Sequence, residues 1–425
     1  MKKVLVIGSG GREHAIIWRL ANNPGNVRHE IFCAPGNAGT AEIATNVDIS
    51  AMDIYALRDF ALVKKIDLTV VGPEDALAAG IVDAFAEVGL PAFGPTKAAA
   101  RLESSKSFGK EFMRKFGIPT AAYQGFSDFV QAKGFINVTA KFPCYIKADG
   151  LAVGKGAYYC HDKAAALATL DEIMVEKRFG GAGDTVVIEE YLEGPETTLL
   201  CFCDGKTIVP MLSSMDYQKV NDNNEGPNTG GMGVLAPSPH YTTDVQKAVE
   251  EKIVWPTLHG LQAENIDFRG IIYIGLILTK NGPYVIEYNA RFGDPETQAI
   301  LPLLATDLSK IFFSCINQTL DKDLVSWYPD VSGACVVLAS GGYPDKFTKG
   351  YPIKGLEEAC VLCKDALIFH AGTTKADGEV ITNGGRVLGV VATAATLDAA
   401  VTKAYEAAVH ISFTNMHKRT DIGKY

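Results

Sequence analysis

Within residues 1–100, short apolar runs alternate with helix-length amphipathic stretches, and this alternation constrains the fold more than any other feature. Strands are predicted at 4–7, 31–34, 68–71 and 92–93, and helices at roughly 12–22, 54–66 and 76–88. Parallel strands need a long crossover, normally a helix, so the pattern predicts a doubly wound parallel sheet. The first strand-to-helix turn is Gly8-Ser-Gly-Gly-Arg-Glu-His14. A dinucleotide fingerprint wants glycine at its sixth position, where this chain has Glu13, so a nicotinamide-dependent dehydrogenase is disfavoured. The same geometry still aims backbone N–H groups and the positive helix end at an anion. A bound phosphate and a purely structural turn both fit. His14 alone reads as a helix-face residue.

The rest of the 425 residues has a different texture, and at ~150 residues per domain the length suggests about three units. A helix over 98–116 leads into a βαββαβ-like stretch, with strands at 121–126, 142–148, 157–160 and 186–192 and a helix at 162–176. Strands 197–203 and 206–212 meet at Asp204-Gly205, and 270–279 pairs with 283–288 across the hairpin signal Asn281-Gly282. Between them, 213–241 is long, polar and rich in Gly, Pro and Asn, which predicts a functional loop. The tail carries short strands at 334–339, 366–370 and 387–392, then a helix at 397–410. The expected division is 1–103, a connecting helix 104–120, 121–190, 191–330 and 331–425. The formal charge of −9 argues against a nucleic-acid partner while leaving local phosphate pockets open. No run approaches the roughly 18 apolar residues of a membrane span. The apolar stretch after Met1-Lys-Lys is too short for a signal peptide, so a cytoplasmic protein is expected. Nine scattered cysteines, including Cys360-Val-Leu-Cys363 with no second pair, read as core residues or free thiols.

Three segments carry candidate chemistry. In Tyr284-Val-Ile-Glu-Tyr-Asn-Ala-Arg-Phe-Gly-Asp-Pro-Glu296, strict alternation puts Val285, Glu287 and Asn289 on one face and Tyr284, Ile286 and Tyr288 on the other. Glu287 and Asn289 then lie about 7 Å apart along the strand. Two hard oxygen donors so placed suit Mg²⁺, and Arg291 could hold anionic oxygens bidentately. The same alternation also fits the polar face of a half-solvated strand. Lys147, at a strand end, runs into Gly150-Leu-Ala-Val-Gly-Lys-Gly156, which is one residue short of a P-loop and lacks its Ser/Thr. A lysine beside a glycine-rich flap nevertheless suits triphosphate; the alternative is an edge-strand lysine without function. Glu196 follows the strand Val187-Ile-Glu-Glu-Tyr-Leu192, whose edge could bond an adenine while the carboxylate takes ribose hydroxyls. Acidic residues that merely end a strand fit equally. Gly226-Pro-Asn-Thr-Gly-Gly-Met-Gly233 reads as an enclosing loop or a connector, and Lys106 is uninformative by itself.

In their order and separations, these segments resemble the ATP-grasp carboxylate–amine ligases, most nearly the phosphoribosylamine–glycine ligase (glycinamide ribonucleotide synthetase) family of de novo purine synthesis. Also carrying the resemblance are Ala34-Pro-Gly-Asn-Ala-Gly-Thr40, Gly72-Pro-Glu74, Gly94-Pro-Thr96, Arg291-Phe-Gly-Asp-Pro-Glu-Thr-Gln298, Phe369-His-Ala-Gly-Thr373 and Thr382-Asn-Gly-Gly-Arg386. The resemblance implies an α/β, ATP-grasp architecture: an amino-terminal doubly wound parallel-sheet domain, a small α+β lid (121–190), a central antiparallel-sheet domain and a small carboxy-terminal α+β domain. It implies ligation of glycine to 5-phosphoribosylamine with ATP, through a glycyl phosphate, giving glycinamide ribonucleotide, ADP and phosphate. By resemblance, ATP is contacted by Lys106, Lys147, Gly154, Lys155, Gly156, the hinge Glu189, Glu190, Tyr191 and Leu192, and Glu196. Glu287 and Asn289 hold Mg²⁺ or Mn²⁺. Arg291, Lys147 and Asp294 are the candidate catalytic residues. Gly10, Gly11, Arg12, Glu13, Asn37, Asp216, Arg291 and Asp294 are the candidate substrate contacts. The expected partners are these small molecules only, with one activity and a monomeric chain.

The chain departs from the family pattern in two places. Ser214-Met-Asp-Tyr-Gln-Lys219 replaces the usual Ser-Gln-Asp-His-Lys-Arg, and Glu103-Ser-Ser-Lys106 replaces Glu-Gly-Ser-Lys. The altered loop is expected to help close over substrate, with Lys219 still available to a phosphate. The rival readings are a carboxyaminoimidazole ribonucleotide synthetase and a non-catalytic nucleotide-binding relative.

Overall fold

The computed structural model describes residues 1–25, 27–152 and 156–425. The amino-terminal apolar runs form a five-stranded parallel sheet ordered Thr45–Asn46, His29–Pro35, Lys2–Gly8, Leu68–Val71, Ala92–Phe93. Val4 to Ile7 are fully buried because helices cover both faces of this sheet. Strand order reverses beside Lys2–Gly8, so a crevice opens at its carboxyl end, where the turn into the helix Gly11–Ala21 lies. Two predicted helices are each broken in two. Gly80, at φ +96°, separates Glu74–Ala79 from Ile81–Ala86. Ser105 leaves helical geometry, and its hydroxyl caps the N–H of Phe108, separating Lys97–Ser104 from Lys106–Lys115. That break sets Lys106 at the first turn of the second helix.

The next unit is a four-stranded antiparallel sheet ordered Tyr123–Phe126, Val186–Glu190, Cys144–Ala148, Ala157–Cys160. Helices Phe129–Val138 and Lys163–Leu170 pack on it around Ile146, Leu170, Val186 and Ile188. The segment carrying Gly154 and Lys155 lies outside the described residues.

A nine-stranded sheet builds the remainder. Its order runs Gly282–Asn289, Gly270–Thr279, Glu196–Cys203, Ile208–Asp216, Gly233–Ala236, Ser332–Ser340, Arg386–Ala394, Ala366–His370, and the ninth strand, Met416–His417, pairs with the end of Ser332–Ser340. Gly233–Ala236 joins the central strands to the carboxy-terminal ones and is buried throughout. This corrects the reading of 213–241 as one long loop. Four apolar-to-small residues between Gly/Pro clusters leave too short a trace to register as a strand, yet as a buried strand they bond neighbours on both sides. The helical stretch Thr243–Val249 to Trp255–Ala263, unassigned in the sequence reading, covers the central sheet with Val249, Ile253 and Leu261.

The strand Gly282–Asn289 needs a second correction. Its register slips by one residue, Gly275 pairing with Glu287 and Leu276 with Val285, so Ile286 is the extra residue of a bulge. Alternation is reset there. Val285 joins Tyr288 in the helix-covered core, while Ile286 turns with Glu287 and Asn289 towards a large cleft. The sharing of one face by Glu287 and Asn289 survives; the placement of Val285 and Ile286 does not.

Candidate active site

Three elements bring cations to the floor of this cleft, and each cation rests on a carboxylate. Lys106, from the helix start, places its Nζ 2.7 Å from Glu287 Oε2. Lys147, on Cys144–Ala148, lies 3.0 Å from Glu189 Oε2 on the adjacent strand. The same oxygen takes Lys110 at 3.0 Å, a residue that sequence reasoning passed over although it follows Lys106 by one helical turn. Arg291 sits between Glu74 and Glu103, 3.2 Å from each. Burial would raise the Glu287 carboxyl, but Lys106 and Lys147 outweigh it and hold the group down at about 2. Burial likewise opposes ionisation of Glu189, and Lys147 and Lys110 prevail, so it too titrates below the ordinary range.

The cleft has a volume of about 810 Å³, between the four-stranded sheet and the central strands. Lys106, Lys147, Gly156, Glu189 to Leu192, Glu196, Asp216, Glu287, Asn289, Arg291 and Asp294 all face it. The Glu196 carboxyl is raised by burial, with Lys147 opposing and Glu287 reinforcing the rise. Asp216 is raised much further, first by burial and then by Glu296, and its Oδ1 is buried with no hydrogen-bond partner. Tyr273 donates its hydroxyl to Glu296 at 2.9 Å beneath the Arg291 guanidinium, 5.9 Å from its ring. Glu74, Glu103, Lys110, Tyr273, Glu296 and Arg386 are the members of this network absent from the candidate residues.

A second cavity of about 500 Å³ opens at the crevice of the parallel sheet. Gly10, Arg12 and Asn37 line it, together with Ala371 to Thr373 and Arg386 from the carboxy-terminal part. Gly11 and Glu13 do not. A Cβ on Gly11 would sit 2.5 Å from Gln298 Nε2, so this glycine serves close packing. Glu13 is buried beneath the turn, accepting from the Gly10 N–H and the Arg12 Nε, both at 2.6 Å. Arg12 also donates to the Phe292 carbonyl at 3.1 Å. Asn37 is fully engaged: its amide donates to the carbonyls of Ser9 and His370, and its oxygen accepts from Gly39 and Thr40.

The two cavities share Glu74, Thr229, Gly230, Arg291 and Asp294. Asp294 is the keystone of that junction. It accepts from the Arg12 N–H at 3.3 Å and Gln298 at 2.8 Å, and Arg386 lies 3.4 Å away. Burial would raise its carboxyl, but Arg386 and Arg12 lower it. Tyr217, Gln218 and Lys219 of the altered loop all border the large cleft, and Tyr217 is otherwise buried. The Tyr217 hydroxyl donates to the Lys424 carbonyl and accepts from the Gly423 N–H, pinning the last residues of the chain.

A cleft floored by paired lysines and carboxylates, clasped between a small antiparallel lid and a larger antiparallel sheet, defines an ATP-grasp ligase. The phosphoribosylglycinamide synthetase family matches through its N domain at 2–103, its ATP-grasp (A) domain at 104–297 and its C domain at 333–425. The chain belongs to that family, the phosphoribosylamine–glycine ligases of purine synthesis. It is 46% identical over 420 residues to the phosphoribosylamine–glycine ligase of Caldanaerobacter subterraneus subsp. tengcongensis, covering 99% of both chains. It is 48% identical over 424 residues to the trifunctional purine biosynthetic protein adenosine-3 of Gallus gallus, covering 99% of this chain and 42% of that protein. The crystal structure of phosphoribosylamine–glycine ligase from Thermotoga maritima superposes with a TM-score of 0.85 at 34% identity, covering 99% of each chain. Among the described residues, no helix is long and apolar enough to cross a membrane.

Proposed function

We propose that the two cavities divide the ligation between them. In the larger, the glycine carboxylate, a poor electrophile, takes the γ-phosphoryl of ATP, leaving ADP and glycyl phosphate. From the smaller, the amine of 5-phosphoribosylamine attacks the acyl carbon and expels phosphate, giving glycinamide ribonucleotide. The observation that carries this reading is the shared wall of the cavities, which sets Arg291 and Asp294 where both substrates would meet.

Phosphoryl transfer is mostly positioning and charge stabilisation. Lys106 and Lys147 bind the phosphates, and Lys147 is oriented for this by Glu189. The backbone of Glu190 to Leu192 takes the adenine and Glu196 the ribose. Glu287 and Asn289 fit a divalent metal: they are two hard oxygens on one strand face, and Glu287 is ionised at any physiological pH. Mg²⁺ or Mn²⁺ bound there would neutralise charge on the phosphates. Arg291, held by Glu74 and Glu103, orients glycine and stabilises the transferred phosphoryl. Asp216 and Asp294 face the substrate amines, and the sugar phosphate lies against Gly10, Arg12 and Asn37, with Gly11 and Glu13 shaping the turn. The test is ADP release with each acid and amine in turn. Release that requires glycine and phosphoribosylamine, with matching glycinamide ribonucleotide, supports the reading; release driven by bicarbonate and aminoimidazole ribonucleotide would replace it.

A further inference from the structure

The backbone of Thr229 and Gly230 is part of the wall between the two cavities. Thr229 is tied to the Gln218 carbonyl by its N–H at 2.7 Å and its hydroxyl at 2.8 Å, whereas Gly230 and Gly231 are held from the carboxy-terminal part. Arg386 Nη1 donates to the carbonyl of Gly230, to that of Gly231 at 3.5 Å and to that of Asp294 at 2.6 Å. The second guanidinium nitrogen lies 3.4 Å from the Asp294 carboxylate. On the other side of the loop, the Tyr343 hydroxyl accepts from the Gly230 N–H at 2.9 Å. A Cβ on Gly230 would stand 3.0 Å from the Arg386 guanidinium carbon, so loop and arginine are in close contact. Arg386 and Tyr343 also line the smaller cavity. Neither lines the cleft in which the phosphoryl transfer is placed, and Arg386 meets its wall only through Gly230, Gly231 and Asp294.

We infer that Arg386, with Tyr343 in support, is a positioning residue that keeps the Thr229–Gly231 partition in place, so that glycyl phosphate is open to the amine in the smaller cavity and closed to water. This rests on the ligase reading above. An acyl phosphate is lost if water attacks the acyl carbon and the C–O bond to phosphate breaks. Glycine and phosphate are then released, and the net reaction is ATP plus water giving ADP plus phosphate. Charge-assisted hydrogen bonds from a planar guanidinium to three carbonyls and a carboxylate fix a loop far better than a single amine or amide could. Loosening them would admit water to the intermediate without removing any group proposed to bind ATP or metal.

The experiment compares ADP and glycinamide ribonucleotide formed by wild type, Arg386→Gln, Arg386→Lys and Tyr343→Phe, with all three substrates and with phosphoribosylamine omitted. Wild type should form ADP and product in equal amounts. Arg386→Gln should release ADP several-fold in excess of product and retain glycine-dependent ADP release without the amine. Arg386→Lys should fall between the two, and Tyr343→Phe should show a smaller excess. A merely structural arginine would lower both products together, so equal amounts of ADP and product in every variant would overturn the inference while leaving the ligase reading intact. Should Arg386→Gln fail to fold, the Arg386→Lys and Tyr343→Phe ratios decide the matter. A wild type that forms no product would instead sink the ligase reading itself.

Discussion

Replacing Glu189 by glutamine probes the charge cluster beneath the nucleotide cleft. A single oxygen of this carboxylate lies 3.0 Å from both Lys110 Nζ and Lys147 Nζ, and the side chains are 4%, 3% and 6% exposed. Glutamine keeps the shape and removes the charge, leaving two buried ammonium groups without their anion. Removing one partner of a buried pair costs about 3–5 kcal/mol, so a loss of stability of that order is expected near neutral pH. The wild type is already poised near this limit. Burial lowers Lys110 to about 8 from its ordinary 10.5, with Glu189 opposing the drop and Lys147 adding to it. A lysine lowered on folding binds fewer protons in the native state between those values, so its contribution to stability improves as pH rises through that window. The full improvement is worth roughly 3.5 kcal/mol at most, from about 1.4 kcal/mol per pH unit. In Glu189→Gln, Lys110 releases its proton at still lower pH, and the penalty of the substitution should shrink towards alkaline pH. Urea unfolding at neutral and mildly alkaline pH measures both effects. Adding Lys110→Met should recover part of the loss, and the KM for ATP should rise because Lys147 loses its anchor. A neutral-pH loss below about 1 kcal/mol, the scale of an exposed pair, or a penalty indifferent to pH would refute the reasoning.

Glu287→Ala should lower kcat at least ~100-fold, about 2.7 kcal/mol of transition-state stabilisation, and near-normal turnover at saturating Mg²⁺ would remove Glu287 from the metal site. Arg12→Ala should raise the KM for phosphoribosylamine and leave that for ATP nearly unchanged; steady-state kinetics showing parallel losses would move the nucleotide to the amino-terminal domain. Tyr217→Phe deletes the hydroxyl between Gly423 and Lys424, so it should cost about 1–3 kcal/mol of stability with kcat retained, and an unchanged Tm would contradict that role.

The sequence speaks clearly where one period runs uninterrupted. Leu68–Val71, Ala157–Cys160, Gly270–Thr279, Ala366–His370 and Leu397–His410 begin and end where apolar pattern and turn residues put them. It misleads where a single residue breaks the period. Gly80 and Ser105 each divide a helix that periodicity runs together, and the bulge at Ile286 reverses two side chains. The site is legible through the order of its motifs, because those motifs make the facing walls of both cavities. Its ion pairs are not, since their partners are remote in the chain. Glu74 meets Arg291 across 217 residues, and no spacing rule reaches that far. Lys110 is the exception: one turn beyond Lys106 on a helix that faces the cleft, it stands at a separation that places side chains on a common face. The altered 214–219 loop likewise could not be resolved by counting charges. Its tyrosine and lysine both border the cleft, but the tyrosine also packs into the carboxy-terminal core, which a count of charges does not reveal.

The pairing of every cation with an anion has a consequence for how the proposed substrates enter. Lys106 rests on Glu287, Lys147 and Lys110 share Glu189, and Arg291 rests on Glu74 and Glu103, so each of these cations has a carboxylate beside it. A phosphate that drew Lys106 towards itself would weaken the lysine's hold on Glu287, a carboxylate held ionised down to about 2. Glu287 is 35% exposed, so solvent would ease the loss of its partner but would still leave an unpaired carboxylate in the cleft. Glu287 and Asn289 would hold a divalent cation, which would supply positive charge at the carboxylate if Lys106 turned to a phosphate. Nucleotide without metal would have to compete with Glu287 for the same lysine. On this argument ATP and its metal would enter as one unit.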